Sequence, residues 1–323
     1  MGVFGTLRRK ILTPDVSETK LDVRGFHVKN PQARELLETI GASFLRGFGH
    51  AAEASDVSAA ERELESVPFR FRGFAYEGAA MGFAVRDALR PGRPRYVPQL
   101  LAGRGDAHVY MAYVGVGWAM ARLPRPLWSR LAAPDPLLRW LVLDGYGFHQ
   151  AYFRTDRYVR RRYREENFPW PGDDHGWYAG HAIDQGIGRA LWFVGGTDPE
   201  RVAQLIEAYP RERRADLWSG TGLAATYAGG ADEDELRTLW ERGAEYRPQL
   251  AQGSAFAAGA RVRAGLLGPH TELATQIFCG MPAAQAQKVT DEALVDLPEG
   301  GSVPSWEVWR QRISASFVSL GQC

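Results

Sequence analysis

Asp144-Gly145-Tyr146-Gly147-Phe148-His149 carries a Gly-x-Gly core that recurs along the chain. Gly47-Phe48-Gly49-His50-Ala51 is one copy, and Glu77-Gly78-Ala79-Ala80-Met81-Gly82 is a degenerate one. Gly115-Val116-Gly117-Trp118, Gly186-Ile187-Gly188-Arg189, Gly220-Thr221-Gly222-Leu223 and Gly253-Ser254-Ala255-Phe256 follow. The first glycines stand at 47, 78, 115, 145, 186, 220 and 253, in steps of 31, 37, 30, 41, 34 and 33 residues. Steps of that size mark a helical-hairpin repeat. Other residues keep the register. Pro68 and Pro210 each lie ten residues before a motif glycine, and Arg72 and Arg214 lie four after those prolines. Gly195-Gly196-Thr197-Asp198 matches Gly229-Gly230-Ala231-Asp232 at the same 34-residue step.

A glycine inside a helix costs about 1 kcal/mol against alanine. A motif that accepts this repeatedly needs the side chain to be missing, and close approach of a neighbouring helix backbone is the physical reason. The motif therefore reads as the packing seam of one helix in each repeat. A phosphate-cradling glycine loop does not fit, because no strand pattern precedes any copy and no Gly-Lys-Ser/Thr follows.

Helical periodicity fills the chain between the breaks. Leu36, Leu37, Ile40, Phe44 and Leu45 follow Pro31 at helical spacing. Residues 59–67, 74–89, 108–123 and 137–153 predict further helices, with Pro68, Pro91 and Pro124 as stops. Asp198-Pro199-Glu200 starts a helix to Ala208, and 232–243 is its equivalent one repeat later. Helices over 272–279 and 283–294 close the series, and Trp306, Trp309 and Ile313 predict an amphipathic cap, which end repeats need. The expected fold is all-α: stacked helical-hairpin repeats of a TPR-like α-solenoid, about seven repeats with a C-terminal capping helix. Residues 1–32 read as an N-terminal arm, turn-like at Leu12-Thr13-Pro14-Asp15 and extended near 23–28. Residues 33–285 form the repeat domain and 286–323 the cap. The longest step holds an insertion, with the basic run Arg157–Arg164 ending in Pro169-Trp170-Pro171-Gly172-Asp173-Asp174. That run reads as a solvated helix face, or as a site for an acidic partner.

Composition excludes several classes. The chain has 323 residues and a net charge of +1, so no global basic field draws nucleic acid. Arginine far outnumbers lysine, which occurs only at Lys10, Lys20, Lys29 and Lys288. With abundant alanine, this suggests a GC-rich bacterial genome. Cys279 and Cys323 make neither a disulfide framework nor a metal knuckle. No run of about 18 apolar residues occurs, so no membrane span is expected. The start Met1-Gly2-Val3-Phe4-Gly5-Thr6 matches an acylation pattern by chance. The sequence reads as a soluble, cytoplasmic protein.

The position before each motif glycine holds Arg46, Glu77, Val114, Asp144, Gln185, Ser219 and Gln252, mostly polar residues on apolar helices. Stacked in register, this column lines one inner surface. Tyr76, Trp118, His149, His181, Asp184, Asp216 and Trp218 lie near it, a mixture typical of small-molecule sites. Glu77, Asp144 and Asp184 are the candidate catalytic carboxylates, expected to face one cavity and to raise a pKa by mutual repulsion. Tyr76, Trp118, His149, His181, Gln185 and Trp218 are the candidate substrate-binding residues. His181 and Asp184, three apart, share a helix face. The alternative is that these groups bond the next helix and hold register. No metal site is legible, since no His-Glu-x-x-His occurs, and a serine hydrolase does not fit, since no Gly-x-Ser-x-Gly nucleophile elbow occurs; no organic cofactor is identified.

The strings RGFAYEGAAMGFA (72–84), VGVGWAMARLP (114–124), LLRWLVLDGYGFH (137–149), DQGIGRALWFVGG (184–196) and RRADLWSGTGLAATYAGG (213–230) together resemble the DUF1702 family. That family includes the UnbL-type proteins of enediyne biosynthesis, and the likeness runs from Phe4 to about Phe317. The resemblance implies a bacterial specialised-metabolite gene cluster. It brings no established set of catalytic residues. Two functions follow as expectations. One is a biosynthetic protein acting on or binding a hydrophobic polyene or polyyne intermediate of an enediyne-type polyketide, in an aromatic-lined groove. The other is a non-catalytic helical-repeat scaffold or sequestration protein for a pathway product or partner protein.

Overall fold

A computed structural model of the protein describes residues 3–170 and 175–323. The acylation pattern at Met1-Gly2 and the residues Pro171 to Asp174 of the expected insertion lie outside the described residues. The described chain is built of helices joined by turns and irregular segments, with no strand among the described residues. It divides into two compact units, residues 1–25 with 35–146 and residues 26–34 with 147–323.

The first unit draws on α1 (Val3–Leu12), α2 (Leu21–Arg24), α3 (Pro31–Glu53), α4 (Val57–Glu65), α5 (Arg72–Leu89), α6 (Tyr96–Leu101), α7 (Val109–Arg122) and α8 (Trp140–Phe153). The unit boundaries fall inside α3 and α8. Within the segment read as an arm, Thr13–Asp15 is non-helical, as expected of a turn, and 26–30 is irregular, while α1, a 3-10 turn over Val16–Thr19 and the short α2 are helical. Helix α5 packs along α7, with α4 and α6 against it. Phe44, Phe48, Leu64, Phe83, Trp118 and Trp128 are buried in this unit.

The second unit holds α9 (Ala179–Val194), α10 (Pro199–Glu207), α11 (Arg211–Ala228), α12 (Glu233–Arg242), α13 (Arg247–Arg263), α14 (Pro269–Phe278), α15 (Ala283–Glu292) and α16 (Ser305–Ser319). Helices α9, α11, α13 and α15 lie side by side in one row, and α10, α12 and α14 form a second row. Helix α16 packs on α13 and α15, with Trp306, Trp309, Ile313 and Phe317 buried beneath it. The short stretch from Phe26 joins this unit through the His27 amide, which donates to the Val194 carbonyl at 3.0 Å.

The glycines sit where backbones meet. A β-carbon on Gly115 in α7 would run into the Glu77 carbonyl of α5, and one on Gly117 into the Val142 carbonyl of α8. In α11, Gly220 meets the Gln185 carbonyl of α9, and Gly222 meets the Leu250 carbonyl of α13. In these two pairs the first glycine takes the preceding motif helix and the second the following one. Gly188 obeys the same rule against Leu217 of α11, whereas Gly47 in α3 meets Ala75 of α5, the motif helix that follows it. The two matched Gly-Gly-x-Asp segments both lead into a helix, but by different turns: Gly195 has φ -81° where its match Gly229 has φ 72°. Positive φ falls on Gly196 and Thr197 in the first and on Gly229 and Gly230 in the second; glycine allows it at three of these positions. Asp198 and Asp232 then cap α10 and α12, and Asp232 does so in a full capping box with Glu235.

The basic run departs from the expected helix face. It is exposed at Arg157, Arg160, Arg161 and Arg162, but Asp156–Arg160 forms a π-helical turn and Arg162 takes φ 53°. Arg157 lies 3.7 Å from the Tyr163 ring centroid, so one of its cations is spent on packing.

Candidate functional site

A set of linked polar side chains in the second unit lies between α9, α11, α13 and α16. His181 Nδ1 is 2.8 Å from Asp216 Oδ2. Arg310 Nη1 donates to Asp216 Oδ1 at 2.9 Å, to Glu307 Oε2 at 2.9 Å and to the Tyr178 hydroxyl at 2.7 Å. That hydroxyl donates in turn to Glu307 Oε2 at 2.7 Å. Arg310 Nε reaches Gln252 Oε1 at 3.4 Å, and Ser219 donates to the same oxygen at 2.7 Å. Asp216, Arg310, Gln252 and Ser219 are buried, whereas the His181 side chain keeps 34% of its surface in solvent. Its ring stacks on Tyr178 at 5.4 Å and meets the edge of exposed Trp177 at 5.9 Å.

The charges explain the proton affinities. Burial works to raise Asp216, but Arg310 and His181 overcome it and hold the carboxyl below its ordinary value. The hydrogen bond to Asp216 raises His181 above the usual imidazole value, against the opposing pull of burial. Asp216 is therefore the acceptor and His181 Nδ1 the donor. Nε2 makes no hydrogen bond among the described residues.

The residues singled out in the sequence belong to both units. Asp184 forms a buried bidentate pair with Arg213, at 2.9 Å from Nε and 2.5 Å from Nη2. Burial pushes its carboxyl up against the pull of Arg213, with Asp216 adding repulsion. The histidine's carboxylate is thus Asp216, and not its helix neighbour Asp184. Gln185 is buried, and neither end of its amide finds a hydrogen-bond partner among the described residues. Trp218 is buried and stacks on Tyr246 at 6.5 Å. In the first unit Tyr76 donates to Glu65 at 2.7 Å and stacks on His108 at 3.9 Å, a bond between α5 and α4. Trp118 lies 4.4 Å from the Phe44 ring. Glu77 in α5 and Asp144 in α8 are both buried. His149, also in α8, is buried with its ring 4.7 Å from Phe153.

Residues 3–317 match the family described as "Protein of unknown function (DUF1702)". The chain belongs to that family. No curated protein matches it, and neither does any solved structure.

What a DUF1702 chain can do with this arrangement follows from the dyad. A buried carboxylate fixes one imidazole nitrogen as a donor, and the other can then take or give a proton near neutral pH. No group of three or more His, Cys, Asp or Glu side chains suited to a metal occurs among the described residues. Arg310, Glu307, Tyr178 and Arg213 escaped the sequence reading. The available signal was a charged residue, Arg310, beside Trp309 on the buried face of a capping helix.

Proposed function

We propose that the protein serves bacterial specialised-metabolite biosynthesis, acting on a hydrophobic polyene or polyyne intermediate of the enediyne type, with His181 as the proton-transfer group. The pathway part rests on the resemblance of the five quoted strings to UnbL-type proteins. The chemical part rests on one observation: a part-exposed histidine whose Nδ1 is held 2.8 Å from a buried aspartate. Neutral His181 accepts a proton at Nε2, and the imidazolium returns it, with Asp216 stabilising the charged ring. Trp177 and Tyr178 supply apolar faces beside it. Glu77, Asp144 and Asp184 remain candidate acids in this reading. The two rows of helices support its architecture, a TPR-like solenoid of stacked hairpins.

A second reading, a non-catalytic scaffold or sequestering protein, is favoured by the bonds from Ser219 and Arg310 to Gln252. They tie α11 and α16 to α13 and use column residues for register. The two readings part in a deletion strain complemented with His181→Gln, Asp216→Asn, Glu77→Gln, Asp144→Asn and Asp184→Asn, each checked for folding by circular dichroism. Loss of general acid–base catalysis costs roughly 10²–10⁴-fold in rate. His181→Gln is expected to lose metabolite production at wild-type protein level. Full production from all five variants would end the catalytic reading and leave the scaffold.

A further inference from the structure

Helix α1 has the sequence VFGTLRRKIL and contains no acidic residue. Its buried side is fixed by polar anchors. Arg8 Nη2 donates to the carbonyls of Glu53 at 3.1 Å and Ala54 at 2.9 Å, and Arg9 pairs with the Glu53 carboxylate at 2.8 Å. Thr6 also donates to Glu53, at 3.1 Å. With that side held, Phe4, Leu7 and Ile11 point the other way, at the i, i+3, i+7 spacing of one helix face. They are 87%, 53% and 70% exposed. Leu89, at the end of α5, is 56% exposed. These four side chains line an open groove of about 440 Å³ with Leu12, Arg90 and Tyr96. A contiguous apolar patch of this kind on a fixed helix marks an interaction surface.

The charges around the patch indicate what covers it. Lys10, Arg90, Arg93 and Arg95 are all exposed, and none of these side chains has an ion-pair or hydrogen-bond partner among the described residues. No Asp or Glu lies in 88–96 either. Apolar side chains of Phe, Leu and Ile type beside unpaired cations form the surface of a helix that lies in a membrane interface. We propose that this face docks the protein on the surface of an anionic lipid bilayer, with α1 parallel to the surface, Phe4, Leu7 and Ile11 among the acyl chains, and the four cations against headgroup phosphates. No helix among the described residues is long and apolar enough to cross a membrane, so the contact is peripheral.

The full chain is incubated with vesicles of phosphatidylcholine alone and of phosphatidylcholine mixed with phosphatidylglycerol, and bound protein is separated by flotation. Association with the mixed vesicles only, weakened by added salt, is the expected result. The double variant Phe4→Ser/Ile11→Ser is expected to lose roughly tenfold or more of the binding, since both side chains leave the acyl region. Arg90→Glu/Arg93→Glu should lose at least as much, at about fivefold for each basic charge removed. All these side chains are exposed, so melting curves should match wild type, and any variant that melts early is replaced by Leu7→Ser or Lys10→Glu. Failure to float with anionic vesicles overturns the proposal, and so does equal binding to neutral ones or wild-type binding by the apolar variants. Absence of vesicle binding together with a dimer that the Phe4→Ser/Ile11→Ser change dissolves would assign the face to a second copy of this chain instead.

Discussion

A buried guanidinium must find acceptors, and Arg310 finds them in Asp216 and Glu307, two carboxylates for one cation. The missing positive charge comes from His181 once it is protonated. This is why the histidine is raised: the hydrogen bond to Asp216 outweighs the burial that would lower it. The sign for stability follows. A histidine with a raised folded pKa contributes fully below the unfolded value of about 6.5, and the contribution fades as pH rises through the folded pKa. Urea titrations of wild type and His181→Gln across that window should show the largest gap in unfolding free energy near pH 6 and a smaller one by about pH 9. A gap that stays constant would mean that the His181 proton is not coupled to folding. None of this pairing was visible in the chain. Asp184 is three residues from His181, one turn away, but Arg213 offers it a two-pronged partner that an imidazole cannot match. Asp216 and Arg310 are 94 residues apart, and only the docking of α16 brings them together.

Helix α13 contains its own control for the seam. Gly253 faces the Ser219 carbonyl of α11 with no room for a β-carbon, whereas Gly259, six residues on, has nothing nearer than the Thr290 hydroxyl at 3.5 Å. Alanine at Gly259 gains helix propensity, about 1 kcal/mol, without a clash. Alanine at Gly253 gains the same propensity but forces two backbones apart, for which overpacking costs of roughly 1–3 kcal/mol are typical. Thermal melts should therefore move in opposite directions, up for Gly259→Ala and down for Gly253→Ala. A rise for both would remove close approach as the reason for the motif. The seam was legible because a glycine cost repeated at regular steps admits few explanations. Helix starts at Asp198 and Asp232 were legible because their side chains cap locally. The π-helical turn at Asp156–Arg160 was not, since one extra residue per turn leaves no composition signal among arginines. Helix α1 escaped for a related reason: its apolar stripe faces solvent, so its periodicity does not mark a buried face.

At the scale of the molecule, the two terminal helices have opposite relations to the fold. Helix α1 leaves its apolar face outside, while α16 buries Trp306, Trp309, Ile313 and Phe317 in the second unit. Full burial of such side chains stabilises by roughly 1.5–3 kcal/mol each. The four together reach about 6–12 kcal/mol before any entropy is subtracted, a range comparable to the roughly 5–15 kcal/mol that holds a typical domain folded. Helix α16 also carries Arg310, so its loss leaves Asp216 buried without its guanidinium. A chain ending at Gly300 should therefore lose the tight packing of its second unit, seen as lost near-ultraviolet dichroism and dye binding to exposed apolar surface while far-ultraviolet helicity partly remains. A chain lacking residues 1–12 should keep its near-ultraviolet spectrum, because the removed stripe covers nothing. It gives up only the anchoring bonds from Thr6, Arg8 and Arg9 to the end of α3. If the chain ending at Gly300 kept a native spectrum and melted cooperatively, α16 would be an appendage and the polar cluster could not depend on it. Loss of the native spectrum without residues 1–12 would place α1 inside the fold.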